Sequence, residues 1–409
     1  MMQMKLLSNL FYTFCSILFF AFASCSNNSD DVVFPAVEGD TLRNLTFIYI
    51  MAENSLSSYA ASDIYEMKLA ADEIPDDCEL LLFVDDVSLP RICRIFFDGV
   101  EGQCETLYTF EDDFSSSDVD NARMVFHWIN ERYPARTLNV VMWSHGSGWI
   151  SGKNAPCQRS IGVDNDNNSF SNSTAAAIDV DELAMLLQEQ PVRPKMLLFD
   201  ACFMQTLETA YALRASADYI VASPAEIPAD GAPYDLLLEH FFAKKFDAKK
   251  VVDAYCSDYQ NKRDGVVLSM IDCSAMEQLA ECSAQYIPKA FERVKGEPEK
   301  VFSYLPNGYS IASRYYYPDF SDANAAMKST LAEDDYEHWR LFLERAVPYW
   351  ATTGGWYSAV HRKIYNVDKE VYCGVSMYVP REGEKNLFYN TDFATTEWYR
   401  VAGWSKTGW

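Results

Sequence analysis

The sequence predicts an α/β protein in which a mostly parallel β-sheet is sandwiched between helices. Two patterns support this fold class. Short, almost wholly apolar runs alternate with longer stretches of helical periodicity, and the apolar runs lack the polar alternation of a sheet with one wet face. At 409 residues a single core is near its upper size, so we expect an α/β core and a C-terminal α/β extension.

The first predicted elements alternate between strands and helices. The sequence predicts strands at 46–51 and 79–84, helices at 58–71 and 120–132, and a hairpin formed by 94–97 and 106–110 around Asp98-Gly99. Such alternation is typical of a sheet covered on both faces.

Two later strands end in residues that can carry chemistry. The run 138–143 stops at Ser144-His145-Gly146, and the run 195–199 stops at Asp200-Ala201-Cys202, after which a helix is predicted at 203–214. The carboxyl ends of parallel strands share one edge of the sheet, where the working residues of such folds lie. We therefore expect His145 and Cys202 to be neighbours.

The remaining elements surround this pair and extend beyond it. Further predictions are a helix at 181–188, strands at 219–222, 265–271 and 374–379, and helices at 274–295, interrupted at Pro288, and at 336–350. We assign residues 45–245 to the core that holds the His and the Cys, and residues 246–409 to a C-terminal subdomain.

Composition limits the function classes. The chain has 59 acidic against 34 basic residues, a net charge of −25, and 49% hydrophobic residues, which is globular rather than disordered. Nucleic-acid binding needs clustered Lys and Arg to neutralise phosphates, so no nucleic-acid partner is expected. The acidic surplus suits basic ligands.

The N-terminus predicts export. Lys5 precedes an apolar run over 6–23, and Phe22-Ala23-Ser24-Cys25 resembles a bacterial lipobox, in which the cysteine receives lipid. We predict a signal peptide at 1–24, a tether at 25–44 and a lipoprotein anchored to a membrane through Cys25, in the periplasm or at the cell surface. Simple secretion and an uncleaved anchor remain open.

The cysteines contribute one further expectation. Nine of the 11 cysteines follow the leader, and an odd number in an exported protein suggests one thiol kept out of disulfides, although several could be buried and free. No CxxC pair is present, so we predict no zinc ribbon or thioredoxin-type centre.

His145 and Cys202 together suggest nucleophilic catalysis. A thiol attacks a carbonyl as a thiolate or when an imidazole takes its proton. The backbone N–H groups of Gly146 and Cys202 are candidate donors to an oxyanion, and a helix beginning after Cys202 would lower the pKa of its thiol.

Motifs across the chain resemble the clostripain family of cysteine peptidases, which has a caspase-like fold. The resemblance runs from about residue 45 to the C-terminus and rests on these segments: 49–56, 143–149, 199–204, 208–211, 222–226 and 374–378. The His-Gly and Asp-Ala-Cys motifs are specific in combination.

The resemblance implies roles for four residues. His145 matches the general base, Cys202 the nucleophile, and Asp200 and Asp230 the carboxylates of a pocket that takes Arg or Lys before the scissile bond. It therefore implies an endopeptidase that acts on proteins or peptides after basic residues. A simple helix cap is the alternative role for Asp200.

The segment between the two motifs suggests self-processing. Family members are often cut there, and the loop over 151–175 offers Lys153 and Arg159. We favour Arg159 because Ser160-Ile161-Gly162-Val163 is predicted to start another strand.

No cofactor and no metal are predicted. The stretch 164–168 carries alternating oxygen donors, yet Ser169 and Ala175 stand where an EF-hand needs Gly and Glu. Because some members of the resembled family use calcium, a calcium requirement stays open.

The alternative function is a surface lipoprotein that keeps the peptidase fold but binds a peptide or protein without turnover. The tyrosine-rich stretch 313–318 could be its binding surface, although aromatic side chains more often pack in a core.

Overall fold

The computed structural model describes residues 41–151, 160–164, 177–293, 302–306, 308–309 and 316–409. The predicted signal peptide, Cys25 and nearly all of the tether lie outside these residues, as do Lys153 and Arg159. In the described part of the chain, no helix is both long enough and apolar enough to cross a membrane.

Among the described residues from 44 to 222, strands and helices alternate, as predicted. The strands of the chain are β1 (Asn44–Met51), β2 (Cys78–Asp85), β3 (Arg91–Phe97), β4 (Gly102–Thr109), β5 (Leu138–Trp143), β6 (Met196–Asp200), β7 (Tyr219–Ala222), β8 (Val267–Asp272), β9 (Ser303–Leu305), β10 (Gly308–Tyr309), β11 (Tyr316–Tyr317), β12 (Phe320–Asp322), β13 (Tyr349–Thr352), β14 (Gly355–Ser358), β15 (Lys363–Asn366) and β16 (Ser376–Met377). The helices are α1 (Ser57–Leu69), α2 (Val119–Arg132), α3 (Val180–Gln188), α4 (Leu207–Ala212), α5 (Tyr234–Phe241), α6 (Ala248–Tyr259), α7 (Met276–Ala290), α8 (Ala323–Lys328), α9 (Glu333–Ala346), α10 (Glu384–Phe393) and α11 (Glu397–Val401).

A nine-stranded sheet organises the molecule, in the order β13-β8-β7-β6-β5-β1-β2-β3-β4. The pairs among β2, β1, β5, β6 and β7 are parallel, and the outer pairs are antiparallel. Only β3 and β8 run against the other seven strands of this sheet. The predicted mostly parallel sheet is therefore confirmed.

Apolar side chains on both faces fix the centre of the sheet. Every residue of β1, β5 and β6 is buried, as expected of strands covered by helices on each side. On one face α1, α5 and α6 pack against the strands in a continuous core that includes Ile50, Leu82, Val141, Leu198 and Leu237. This packing holds the carboxyl ends of β5 and β6 rigidly side by side.

Several predicted elements differ from the structure. The helix expected at 203–214 begins only at Leu207, because Phe203 adopts a left-handed backbone conformation (φ 62°) and Thr206 caps the helix. The helix α5 was not predicted. Residues 349–350, expected to end a helix, belong to β13, and the strand expected at 374–379 is limited to β16.

Two smaller predictions also fail. α7 continues two residues past Pro288 instead of breaking there. Ile161, in the expected strand start, forms only isolated bridges with Gly146 and Ile178.

The residues after 245 continue the same sheet. The predicted domain boundary falls between α5 and α6, and β8 and β13 lie beyond it, where they extend the sheet from β7. Ser376 of β16 donates from its backbone N–H to the carbonyl of Gln205, two residues before α4 begins. The C-terminal region is thereby attached next to the end of β6.

Candidate active site

The pairing of β5 with β6 brings the segments that carry His145 and Cys202 together. β5 and β6 are parallel, and each pair from Asn139↔Met196 to Trp143↔Asp200 is 57 residues apart in sequence. His145 and Cys202 are separated by the same 57 residues, and each lies two residues past the last registered pair, Trp143↔Asp200. Successive pairs of one face lie two residues apart. The register explains why both residues line one cleft.

Glycine at position 146 allows the two strand-end loops to meet. A Cβ atom on Gly146 would lie 2.7 Å from the carbonyl oxygen of Cys202, closer than any side chain tolerates. Gly148 is in the left-handed region, and a Cβ there would lie 2.7 Å from the carbonyl oxygen of Phe203. The loop after His145 is thus packed directly on the backbone of the Cys202 loop.

His145 is held by segments from two other parts of the chain. Its Nε2 atom lies 2.9 Å from the hydroxyl oxygen of Ser55, and its carbonyl accepts from the N–H of Gly162. Burial lowers the pKa of His145, so the ring is neutral at neutral pH and can accept a proton. Ser55 therefore occupies the nitrogen that a general base would use.

Cys202 is a protonated thiol in this state. Its sulfur accepts a hydrogen bond from the N–H of Ile227 at 3.4 Å. Burial and the charge of Glu226 raise the pKa of the thiol to about 12, against the lowering by a helix dipole that the sequence suggested. That prediction is wrong because α4 starts five residues after Cys202 and cannot direct its N-terminus at the sulfur.

Asp200 is buried beneath the cleft with three hydrogen-bond donors. Its Oδ2 accepts from the N–H of Ala232 and the hydroxyl of Tyr234, and its Oδ1 accepts from the hydroxyl of Tyr255. Burial raises the pKa of this carboxyl to about 6, so it is mainly ionised at neutral pH. The structure does not use Asp200 as the cap of α4, a role that Thr206 fills.

Further carboxylates surround Asp200. Asp63 accepts from the indole N–H of Trp143 at 2.6 Å, and Glu66 accepts from the N–H of Tyr234. Burial, with the charge of Asp200, raises the pKa of Asp63. The charge of Asp230 also acts on Asp63. Asp230 itself is exposed and does not line the cleft, whereas its neighbours Ala229 and Gly231 do.

Glu226 is a cleft residue to which sequence reasoning assigned no role. It is 6% exposed, and its Oε1 accepts from the N–H groups of Ala359 and Val360 at 2.9 and 3.1 Å. This contact joins the loop after β7 to the loop after β14. The only signal in the sequence was its place in the segment 222–226, directly after a buried strand.

The cleft has a volume of about 580 Å³ and draws on both halves of the chain. The first half supplies His145, Cys202 and the loop from Glu226 to Ala229, and the second half supplies a wall that includes Tyr317 and Tyr357. Among the described residues of the tyrosine-rich stretch 313–318, Tyr317 lines the cleft. A cleft of this size accommodates several residues of an extended peptide.

The described cysteines are all free thiols. They are Cys78, Cys93, Cys104, Cys202, Cys256, Cys273, Cys282 and Cys373. The expectation of a disulfide set with one thiol left over is therefore not met among them, and the alternative of several free thiols holds there. Of the stretch proposed for calcium, only Asp164 is described, and it accepts from the backbone N–H of Ser116.

Comparison with known proteins identifies the family to which the chain belongs. A model of the clostripain family, peptidase C11, matches residues 48–409. Clostripain from Hathewaya histolytica is 28% identical over 221 residues, which cover 48% of this chain and 41% of clostripain. The chain thus matches less than half the length of that relative.

Two solved structures resemble the whole fold. A secreted C11 cysteine protease from Bacteroides thetaiotaomicron, in complex with an irreversible peptide inhibitor, has a TM-score of 0.74 and 27% identity, covering 89% of this chain and 99% of its own. An inactive zymogen C11 protease from Parabacteroides distasonis has a TM-score of 0.72 and 24% identity, covering 90% and 99%, and supports the fold alone. The family match over most of the sequence shows that this chain belongs to the clostripain family of cysteine peptidases.

Proposed function

We propose that this protein is an exported cysteine endopeptidase that cleaves after Arg or Lys, with Cys202 as nucleophile and His145 as general base. The observation that supports the proposal is the parallel pairing of β5 with β6, which brings together the segments after these strands, and the cleft that both His145 and Cys202 line. A nucleophile and a base on neighbouring strand ends are what a thiol peptidase requires.

In the proposed reaction, His145 Nε2 takes the proton of Cys202 as the sulfur bonds to the peptide carbonyl carbon. The imidazolium then gives this proton to the leaving amine as the C–N bond breaks, which leaves an acyl-enzyme. A water molecule, deprotonated by His145, attacks the acyl carbon, the C–S bond breaks to release the acid, and the imidazolium returns its proton to the Cys202 sulfur. The N–H groups of Gly146 and Cys202 remain the proposed donors to the oxyanion.

For this reaction to start, the contact between Ser55 and His145 Nε2 must be broken when substrate binds. Ser55 holds His145 Nε2 in the structure, and the pKa of the Cys202 thiol is raised to about 12. Catalytic hydrogen bonds often form only when substrate is bound. We propose that a bound peptide turns His145 from Ser55 toward Cys202.

The proposed preference for basic residues rests on the carboxylates at the base of the cleft. Asp200 lines the cleft and is mainly ionised at neutral pH, so a cation there would meet its negative charge. Asp63 and Glu66 lie nearby, but the pKa of each is raised, to about 9 and about 7, and Asp63 is mainly protonated at neutral pH. Asp230, which the sequence paired with Asp200, is exposed at the rim of this region. A cationic side chain that reaches a buried carboxylate gains the most because little water screens the pair.

Hydrolysis of fluorogenic peptides ending in Arg, Lys, Asp or Leu tests the proposal. We expect turnover of the Arg and Lys peptides, and a loss of at least about 1,000-fold in Cys202→Ala. Cys282→Ala is the matched control, because this buried thiol contacts His338 far from the cleft and its loss should leave turnover unchanged.

The other outcomes discriminate between parts of the proposal. Turnover of Asp or Leu peptides alone would retain the nucleophile and remove the roles of Asp200 and Asp230. No turnover of any peptide would favour the alternative, a non-catalytic lipoprotein that binds a peptide in the cleft. The Ser55 contact of His145 and the raised pKa of Cys202 are the observations that favour this alternative.

Self-processing and lipid anchoring complete the proposal. We propose a cut after Arg159, with Lys153 as the second choice, and an anchor at Cys25. Two fragments should form in the parent protein and not in Arg159→Ala, as seen by denaturing electrophoresis. Identical fragments from Arg159→Ala would rule out this cleavage site. If no more of the Cys25→Ser variant than of the parent protein were released into the medium, the lipid anchor at Cys25 would be ruled out.

A further inference from the structure

Two cysteines meet on the antiparallel strands at one edge of the nine-stranded sheet. Cys93 lies on β3 and Cys104 on β4, the last strand in the order of the sheet. Cys93 pairs with Thr106, and Cys104 pairs with Ile95, so the two cysteines are diagonal neighbours in this ladder. Because residues two apart on a strand share a face, both thiols lie on the same face of the sheet.

The two thiols are in direct contact. The Cys104 thiol donates a hydrogen bond to the sulfur of Cys93. The same Cys93 sulfur lies 3.8 Å from the hydroxyl oxygen of Thr106, the residue directly opposite on β4. Two sulfur atoms that share a hydrogen bond have no other group between them.

The local strand geometry favours a covalent link. Diagonal neighbours in a regular antiparallel ladder lie about 7–8 Å apart, slightly more than the Cα separation of about 4.4–6.8 Å across a disulfide. The register of β3 and β4 shifts between Ile92 and Cys93, and a bulge of this kind increases the local twist. Among the described strands, β4 is bonded to β3 alone, so its backbone can close the remaining gap without disturbing a second ladder.

The two thiols differ in access and in acidity. Cys104 is exposed, whereas Cys93 is only 2% exposed. The hydrogen bond from Cys104 is the main cause that lowers the pKa of Cys93 to about 7, against the effect of burial, and it raises the pKa of Cys104. Thr106 and the charge of Arg91 also lower the pKa of Cys93. Near neutral pH the pair therefore holds one proton between two sulfurs in a large share of the molecules, and a thiolate is the form that attacks a disulfide.

We propose that Cys93 and Cys104 form a redox site in which an external disulfide oxidises the two thiols to a disulfide between β3 and β4. Strand pairing, and not CxxC spacing, brings this dithiol together, so the motifs considered in the sequence did not reveal it. The export proposed above would place the site in an oxidising compartment, where such links persist.

The exposed thiol reacts first. Cys104 gives its proton to the Cys93 sulfur, and the Cys104 thiolate attacks one sulfur of the external disulfide, which releases a first thiolate. Cys93 then loses its proton to this thiolate and attacks the Cys104 sulfur, which expels the second thiolate, and solvent protonates it. Two electrons pass from the protein to the oxidant, which leaves as two thiols.

Millimolar oxidised glutathione added to folded Cys202→Ala protein tests the site. This background lacks the proposed catalytic thiol, so the result does not depend on peptidase activity. After the reaction, the protein is unfolded in iodoacetamide to block free thiols and is digested with trypsin without reductant. Trypsin cuts after Arg94, between the two cysteines, so the proposed disulfide joins peptide 92–94 to peptide 95–123. We expect these joined peptides as the main disulfide product, and their separation by dithiothreitol.

Two variants in the same background complete the test. Cys104→Ala should form no such link and should leave Cys93 as a free thiol, because the buried sulfur is not accessible to glutathione. Cys78→Ala is the matched control, because Cys78 is a buried thiol of β2 in the same apolar core as Cys93 and donates to Asp77 at 3.3 Å. This control should form the joined peptides as the parent does.

Several results would overturn the proposal. Absence of the joined peptides would do so, as would glutathione that stays on Cys104, since Cys93 would then not reach its partner. A Cys104 link between two copies of the chain, seen as a dimer on a non-reducing gel, would replace the proposed disulfide. An equal rate of linking in urea and in the folded protein would show that the fold does not bring the two thiols together.

Discussion

Gly146 is the residue on which the contact between the two strand-end loops depends. An alanine there would place its Cβ atom 2.7 Å from the carbonyl oxygen of Cys202, a backbone atom that cannot rotate away. We expect Gly146→Ala to lower kcat about 100-fold, since a displacement near 1 Å has that effect on reacting groups.

Gly99→Ala provides the comparison for this change. Gly99 has a φ of 93°, so alanine is strained there, but nothing lies within 4 Å of its Cβ position. It should lose stability and keep its turnover, as measured by thermal unfolding and peptide hydrolysis. If Gly146→Ala retained full turnover, the loops would not position the dyad in the way proposed.

Glu226 controls the reactivity of Cys202 by its charge. Burial contributes most to the raised pKa of the thiol, and the Glu226 carboxylate contributes next. Glu226→Gln keeps an oxygen for the N–H groups of Ala359 and Val360 but removes the charge. We expect iodoacetamide to alkylate Cys202 with a midpoint at lower pH in this variant, because the thiolate no longer faces an anion.

Peptide mass analysis at a series of pH values measures this shift. Glu208→Gln is the control, because Glu208 is also a buried carboxylate and accepts from the N–H of Tyr378, yet it is not among the charges that act on Cys202. A midpoint that moves equally in both variants, or in neither, would refute the role of Glu226.

Among the elements, those of the central sheet were the most predictable. The strands β5 and β7 have the predicted bounds, because long apolar runs between polar stops leave little choice of register or length. The wall of the cleft was not predictable in this way. Its loops take their shape from contacts with distant segments, such as Glu226 with Ala359.

Helix ends were predicted less well, and for specific reasons. The segment after Cys202 has helical periodicity, but Phe203 adopts a left-handed conformation that no sequence pattern signals in a bulky residue. α4 therefore begins later than predicted, and its dipole does not lower the pKa of the Cys202 thiol as the sequence suggested. Tyr349 and Trp350 were placed in a helix although they pair with Met270 and Ser269 of β8, a contact with a distant segment that local periodicity does not report.

The site shows the same division between residues and their environment. The sequence indicated His145 and Cys202 because they follow buried strands of one sheet, and Asp200 through the resemblance to the clostripain family. It could not indicate that Ser55 would hold His145, or that Tyr234 and Tyr255, which lie 34 and 55 residues further along, would hold Asp200. These contacts depend on tertiary packing and not on spacing.

For the whole molecule, buried carboxylates determine how stability varies with pH. Burial, with the charge of Asp200, raises the pKa of Asp63 to about 9, far above that of an unfolded aspartate, about 3.9. Between these values the folded state binds more protons than the unfolded state. The contribution of Asp63 to the free energy of unfolding therefore falls as pH rises through this window.

Thermal unfolding from about pH 5 to about pH 9 in EDTA checks this expectation. The melting temperature should fall toward alkaline pH, a trend that the net charge of −25 strengthens by repulsion. Asp63→Asn should flatten the dependence, and Asp72→Asn, which changes an exposed aspartate, should follow the parent. Parallel curves for all three proteins would contradict the raised pKa.

The pairing of β5 with β6 has a consequence for a chain that is cut between them. The hydrogen bonds of this ladder, and not the covalent link through residues 152–176, keep His145 beside Cys202. A cut in that link would leave one particle made of two polypeptides, which separate only in denaturant. The two pieces, expressed together as separate genes, should then assemble by fragment complementation into the same cleft.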